Sequence, residues 1–294
     1  MSRVQATAVG FGAVLLWALL ALLTVGSAPT PPLLLNTICF LIGGACGLVW
    51  TAFSGGLGVL RQVSWRVYAF GTLGLFGYHA LYFSALRLAP AAEAGLIAYL
   101  WPLLIVLMSG LLPGERLRRG HVLGAVTGFV GAALIISGGG QGFQASHGAG
   151  YALALICAFT WSSYSVLSRR VGDAPTQSVT VFCLGAAALS MPLHLAFEET
   201  IWPADTISWV STALLGLGPV GLAFFVWDIG VKHGDIQLLG AASYAAPLLS
   251  TCILVLAGVA PLSATLGLAA ILITGGAALA AYASFGSTPR PTSE

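Results

Sequence analysis

Residues 95–104 read Gly-Leu-Ile-Ala-Tyr-Leu-Trp-Pro-Leu-Leu, and residues 240–249 read Gly-Ala-Ala-Ser-Tyr-Ala-Ala-Pro-Leu-Leu. A gapless shift of 145 residues lays one on the other, pairing Gly95, Tyr99, Pro102, Leu103 and Leu104 with Gly240, Tyr244, Pro247, Leu248 and Leu249. The same shift pairs Gly131-Ala132-Ala133-Leu134 with Gly276-Ala277-Ala278-Leu279 and sets Arg87 opposite Lys232. Apolar helices share Leu and Ala by chance, so the repeated Tyr-x-x-Pro is the part that marks a duplication.

What is duplicated is a membrane segment. Of 294 residues, 58% are hydrophobic and 7% charged, whereas a water-soluble domain carries about a quarter charged residues. Lipid must be the solvent. Apolar windows of bilayer length fall at 5–26, 32–53, 66–87, 90–112, 120–138, 149–169, 176–197, 207–229, 235–257 and 262–285. The first follows Arg3 as a signal peptide would, but its apolar run is too long for a signal core. Connectors such as Ser27–Pro31 and Gly258–Pro261 leave no room for a soluble domain. Each half then holds five spans, and an odd number forces the second half to run the opposite way through the bilayer. The expected fold is an all-α membrane protein with ten transmembrane helices in two inverted five-helix repeats, at 1–138 and 149–285. Residues 139–148 form a periplasmic connector and 286–294 a cytoplasmic tail.

Charge fixes the orientation. With the N-terminus in the cytoplasm, the inner ends and loops hold Arg3, Arg61, Arg66, Arg116, Arg118, Arg119, Arg169, Arg170, Lys232 and Arg290, and the outer side holds only Arg87. Both termini are therefore expected inside. Glu198, Glu199 and Asp205 fall in an outer loop. A net charge of +2, scattered along the chain, offers no nucleic-acid groove. Cys39, Cys46, Cys157, Cys183 and Cys252 lie inside apolar stretches without metal or redox spacing, so neither a metal nor a cofactor is expected.

Several polar and aromatic residues stand where lipid-facing helices have no use for them. Trp17 and Trp161 sit near the middle of spans one and six, away from the interfacial belt, so they either pack helices or line a cavity. The run Thr160-Trp161-Ser162-Ser163-Tyr164-Ser165 is rich in hydroxyls, which serve helix packing, a cavity, or both. Tyr78, His79 and Tyr82 share one helical face, offering rings for stacking and polar tips for orientation. Pro102 and Pro247 each remove a backbone donor, which should leave the carbonyls of Ala98 and Ser243 without a helical partner. Together with Tyr99, Trp101, Trp227 and Tyr244, these residues compose a candidate substrate site. Asp228 and Lys232, four apart, form an ion pair near the inner end of span eight, and Glu93 lies at the outer start of span four; these three are candidate gating groups. Gly71-x-x-Gly74-x-x-Gly77 and Gly124-x-x-x-Gly128-x-x-Gly131 are surfaces for close helix contact rather than phosphate loops.

The function classes follow from what these residues can do. No His-rich metal set, paired acids or nucleophile–base motif supports an integral-membrane enzyme. A nucleotide-sugar or drug carrier is the alternative transport reading, but anionic nucleotides need a basic cavity, and Arg87 and Lys232 lie near the membrane edges. No carboxylate takes a clear midplane position, which favours a carrier driven by its substrate's own gradient over a proton pump, with His79 and Glu93 as the groups able to carry a proton. The partners expected are an amino-acid substrate and the lipid bilayer. A monomer is sufficient for this architecture.

The Pro-Gly-Glu-Arg-Leu run at 113–117 ahead of Gly124, with Tyr-Leu-Trp-Pro at 99–102, resembles the drug/metabolite transporter superfamily with paired EamA-type repeats. Within it, 99–102 and the run Ala-Ala-Ser-Tyr-Ala-Ala-Pro-Leu-Leu-Ser at 241–250 look like the YddG-type exporters of aromatic and other amino acids. The second half departs from the pattern, with Ala260 where the first has Glu115. The resemblance implies a bacterial inner-membrane location and outward export.

Overall fold

A computed structural model of the chain describes residues 1–137, 143–171, 174–258 and 263–285. The expected tail with Arg290, part of the 139–148 connector, Ala260 and Pro261 lie outside the described residues. The described chain is helical throughout, without a strand. Helices α1 (Arg3–Ala18) and α2 (Leu20–Gly26) make the first rod, followed by α3 (Pro32–Ser54) and α4 (Trp65–Leu88). Then come α5 (Ala91–Ala98), α6 (Trp101–Ser109), α7 (Arg119–Ile136), α8 (Gly148–Ser168) and α9 (Ser178–Phe197). A π-helical turn, Gly218–Leu222, joins α10 (Thr206–Leu217) to α11 (Ala223–His233), and α12 (Ile236–Ala242), α13 (Ala245–Leu256) and α14 (Ala264–Phe285) complete the chain.

Among the described residues, eight helical stretches are long and apolar enough to cross a bilayer, and Glu93–Ser109 is a shorter apolar one. Helix α4 has the length, 24 residues, but Tyr78, His79 and Tyr82 lower its hydropathy. The apolar windows agree with the helices to within a few residues. The largest departure is the window at 207–229, whose rod continues to His233 because Asp228 and Lys232 are buried in protein and do not end it.

The repeated prolines start helices. Pro102 is the second residue of α6 and Pro247 the third of α13, positions whose N–H groups have no intrahelical partner in any helix. The expectation of a free carbonyl at Ser243 is corrected accordingly: the chain turns there, and that carbonyl accepts a hydrogen bond from the Ala246 N–H at 3.1 Å.

Repeat-related helices pack on one another. A side-chain carbon at Gly124 would meet the Gly276 carbonyl, and one at Gly131 would meet the Ala269 carbonyl. Residue numbers rise along α7 as they fall along α14, so the two run antiparallel. The 145-residue shift carries 124 to 269 and 131 to 276, which makes each contact the image of the other. Helices α3 and α9, also repeat mates, pack antiparallel too: Asn36 Nδ2 donates to Ser190 Oγ at 2.7 Å, and the Thr51 and Thr180 hydroxyls lie 3.4 Å apart. Likewise α1 packs on α11 as its mate α8 packs on α4. In α4, Gly71 and Gly74 are seats for the rings of Phe182 and Tyr164.

Candidate functional site

Four tryptophans from four helices meet at the centre: Trp17 of α1, Trp101 of α6, Trp161 of α8 and Trp227 of α11. All six pairs are in ring contact, with centroids 5.1 to 6.3 Å apart. Trp101, Trp161 and Trp227 are at most 5% exposed, and Trp17 is half-buried. Indole rings in hydrocarbon need partners for their N–H groups. Trp17 Nε1 donates to the Pro219 carbonyl, in the π-helical turn, at 3.1 Å, and Trp227 Nε1 donates to Ser165 Oγ at 3.1 Å. The break before α6 is what brings Trp101 into this group, since it starts the new helix.

A second aromatic group continues from the first along α4. Tyr78 packs 5.5 Å from Trp161 and stacks on Tyr82, 6.1 Å away with ring planes 6° apart. Tyr99 lies 6.4 Å from Trp101. His79 touches Tyr78 at 5.2 Å, but its other neighbours are Phe40 at 5.1 Å, Phe224 at 6.1 Å and Phe83 at 6.3 Å. Its Nδ1 sits 2.7 Å from the Leu75 carbonyl, which can only accept, so Nδ1 carries a proton, and in the neutral ring Nε2 is left as an acceptor.

Tyr164, from the hydroxyl-rich run, packs 5.3 Å from Trp161, and Phe40, Phe83 and Phe224 join this centre without a mark in the sequence. Phenylalanine is what an apolar span is expected to contain, so composition gives no signal. The repeat does give one: the shift that pairs Tyr99 with Tyr244 pairs His79 with Phe224.

Other candidates are placed apart from the tryptophans or in bracing roles. Tyr244 is fully buried against Gly128 and 6.0 Å from Phe129, its hydroxyl accepting from the Leu103 N–H at 3.1 Å; Pro247 is buried on the same rod. Ser162 is buried, with Oγ 2.6 Å from the Ala158 carbonyl and 3.0 Å from that of Trp101, so its hydroxyl is used in bracing the break. Lys232 Nζ meets Asp228 Oδ2 at 2.9 Å, and the pair is buried rather than reaching to the interface, with side chains 4% and 1% exposed. Thr176 donates to Asp228 and Lys232 to the Ala174 carbonyl, both at 2.8 Å, which makes up for the lost water. Glu93 is 4% exposed, and neither carboxylate oxygen has a hydrogen-bond partner.

Apart from Glu93 and the buried Asp228–Lys232 pair, the ion pairs among the described residues lie at the two ends. At one, Arg3 lies 3.3 Å from both Glu115 and Asp235, and Arg169 lies 3.0 Å from Glu115. At the other, Arg87 meets Glu198 at 3.0 Å, and Glu198 also accepts from the Leu33 and Leu34 N–H groups at the start of α3. Among the described residues no three His, Cys, Asp or Glu side chains converge as metal ligands would. The centre is thus aromatic and lined by helix breaks.

Comparison with known proteins identifies the family. Residues 6–137 and 148–282 each match the EamA-like transporter family. An Ancylobacter novellus protein named aromatic amino acid exporter YddG is 54% identical over 283 residues, spanning 95% of this chain and 98% of its own length. The Escherichia coli protein of that name is 26% identical over 299 residues, spanning 95% and 97%. A solved crystal structure 51% identical in sequence superposes with a TM-score of 0.93 over 98% of this chain and 100% of its own. Two family matches, one in each half and together covering most of its length, place this chain in the EamA-like transporter family as a multi-pass membrane protein of the YddG type.

Proposed function

We propose that this protein exports amino acids, aromatic and other large neutral ones, from the cytoplasm by alternating access. The aromatic centre carries the reading. Burying a large apolar side chain there gains roughly 1.5–3 kcal/mol, and ring-on-ring geometry favours aromatic substrates further. The names of the Ancylobacter and Escherichia coli relatives support the same substrate class. Trp17, Trp101, Trp161 and Trp227, with Tyr78, Tyr82 and Tyr99, would read the side chain. The zwitterionic end needs polar partners: His79 Nε2 accepts from the ammonium, and the Tyr78 and Tyr82 hydroxyls donate to the carboxylate.

We read the chain as ten crossings in two inverted five-helix halves, 1–138 and 149–285, with a periplasmic connector at 139–148 and a cytoplasmic tail at 286–294. The separate family matches and the antiparallel packing of α7 on α14 and of α3 on α9 support that division. The distribution of basic residues supports cytoplasmic termini in a bacterial inner membrane. Glu93, Asp228 and Lys232 serve gating rather than side-chain recognition.

Reconstitution into liposomes tests the function directly. Labelled phenylalanine and tryptophan should equilibrate across vesicles holding the protein faster than across empty ones, and faster than serine or aspartate. Equal rates for all four, no better than empty vesicles, would refute the reading.

A further inference from the structure

His79 and Phe224 are repeat mates, separated by the 145-residue shift, and their rings are 6.1 Å apart. Two positions exchanged by a pseudo-twofold axis can touch only if both lie beside that axis. The axis is located independently by α7 on α14, where the Gly124–Gly276 and Gly131–Ala269 contacts are images of each other, and by the mated pair α3 and α9. His79 and Phe224 therefore mark where it passes through the aromatic centre. In a transporter of two inverted repeats the substrate sits at the repeat interface near the midplane, and alternating access exchanges the environments of the halves around that point.

We propose that Phe224 is a specificity-determining substrate contact, the ring that beside His79 reads the aromatic side chain in both the outward-open and the inward-open states. The proposal rests on the export reading above and adds to it a residue and a symmetry. Phe224 stacks on Phe40 at 5.7 Å with planes 19° apart, and lies 5.7 Å from Trp161 and 6.4 Å from Trp17. It joins the tryptophans to the α4 rings, so a substrate ring entering from either side can replace one of its present partners, ring for ring. A residue far from the axis would face the substrate in only one state; a residue beside it keeps its place while its surroundings exchange.

The test uses the purified protein in liposomes, with labelled phenylalanine and leucine measured as efflux and as uptake. Phe224→Leu should lower phenylalanine transport relative to leucine by about two- to tenfold, the value of one lost ring contact, in both directions. Phe224→Tyr, which keeps the ring, should hold the wild-type ratio, and the exchange H79F/F224H should lie closer to that ratio than F224H alone. An unchanged phenylalanine-to-leucine ratio in F224L, an equal loss for both amino acids, or a change in one direction only would overturn the assignment. Wild-type protein that moves neither amino acid would instead bring down the export reading, and this inference with it, before any variant is compared.

Discussion

The Tyr244 hydroxyl accepts a hydrogen bond from the Leu103 backbone N–H at 3.1 Å, joining the broken rod of one repeat to that of the other. Leu103 is the third residue of α6, so its N–H is one of the donors that a helix start leaves unpaired. In hydrocarbon such a donor needs a partner from elsewhere. Tyr244 supplies it while its ring fills the space over Gly128. Tyr244→Phe keeps the ring and removes the acceptor, and should lower stability by about 1 kcal/mol on the scale of hydrogen bonds within membrane bundles. Thermal unfolding in detergent measures this, and a melting temperature equal to wild type would mean that water or lipid already satisfies Leu103.

Topology is open to a simple check. Ten of the eleven basic residues fall on one side when both termini are inside. A reporter fused after Arg290 should read cytoplasmic and one inserted at Asp205 external. The opposite pattern would overturn the count of crossings.

The repeat, the helices and the central tryptophans were legible in the sequence because each breaks a rule of lipid-facing segments. Tyr99 and Tyr244 recur at a fixed offset, and Trp17 and Trp161 sit where interfacial aromatics do not. Phe224 and Phe40 were not legible, since a phenylalanine inside an apolar span is unremarked until its neighbours are known. Ser162 and Tyr244 illustrate a different limit: a hydroxyl in a membrane helix needs a partner, and sequence does not say whether that partner is substrate or backbone. The carbonyl of Ser243 was misjudged because helix breaks, unlike kinks, reset the hydrogen-bond register.

The driving force is testable in the same vesicles. Asp228, next to Trp227, is tied to Lys232 and Thr176 and so is not free to cycle a proton, and substrate should move down its own gradient without an imposed proton gradient. Glu93→Gln should then still transport without an imposed proton gradient, whatever its effect on gating. Strict dependence on a proton gradient, abolished by that substitution, would make Glu93 the coupling group.

At the end read as cytoplasmic, Arg3, Glu115, Arg169 and Asp235 come from both repeats, and three short ion pairs tie them together. The 145-residue shift sets Glu115 against Ala260 and Asp235 against Pro90, so the repeat does not carry these acids to the other end, where Glu198 instead meets Arg87 and His194. The closed state of the end read as cytoplasmic should depend on its three ion pairs. In a background without native cysteines, a cysteine placed at Ser168, buried just inside Arg169, should react with a water-soluble maleimide several-fold faster once Glu115→Gln is added. An unaltered rate would mean that apolar packing alone shuts this end.

The last prediction concerns the tryptophans. If Trp101 and Trp161 contact the substrate, removing either ring takes away an aromatic surface that a tryptophan or phenylalanine side chain would use. An aromatic pair is worth about 0.5–1.5 kcal/mol beyond area burial, and the lost burial adds roughly 1.5–3 kcal/mol. Trp101→Ala and Trp161→Ala should therefore weaken transport of both amino acids by at least tenfold at matched expression. Both rings also pack in the tryptophan cluster, so truncation destabilises the protein as well, and insertion must be measured separately by the amount of folded protein recovered from the membrane. Trp101 starts α6, while Trp161 sits within α8, so their structural liabilities differ whereas their substrate liabilities should match. Undiminished transport in both variants, with insertion intact, would show that these rings only pack helices and that the substrate is read elsewhere.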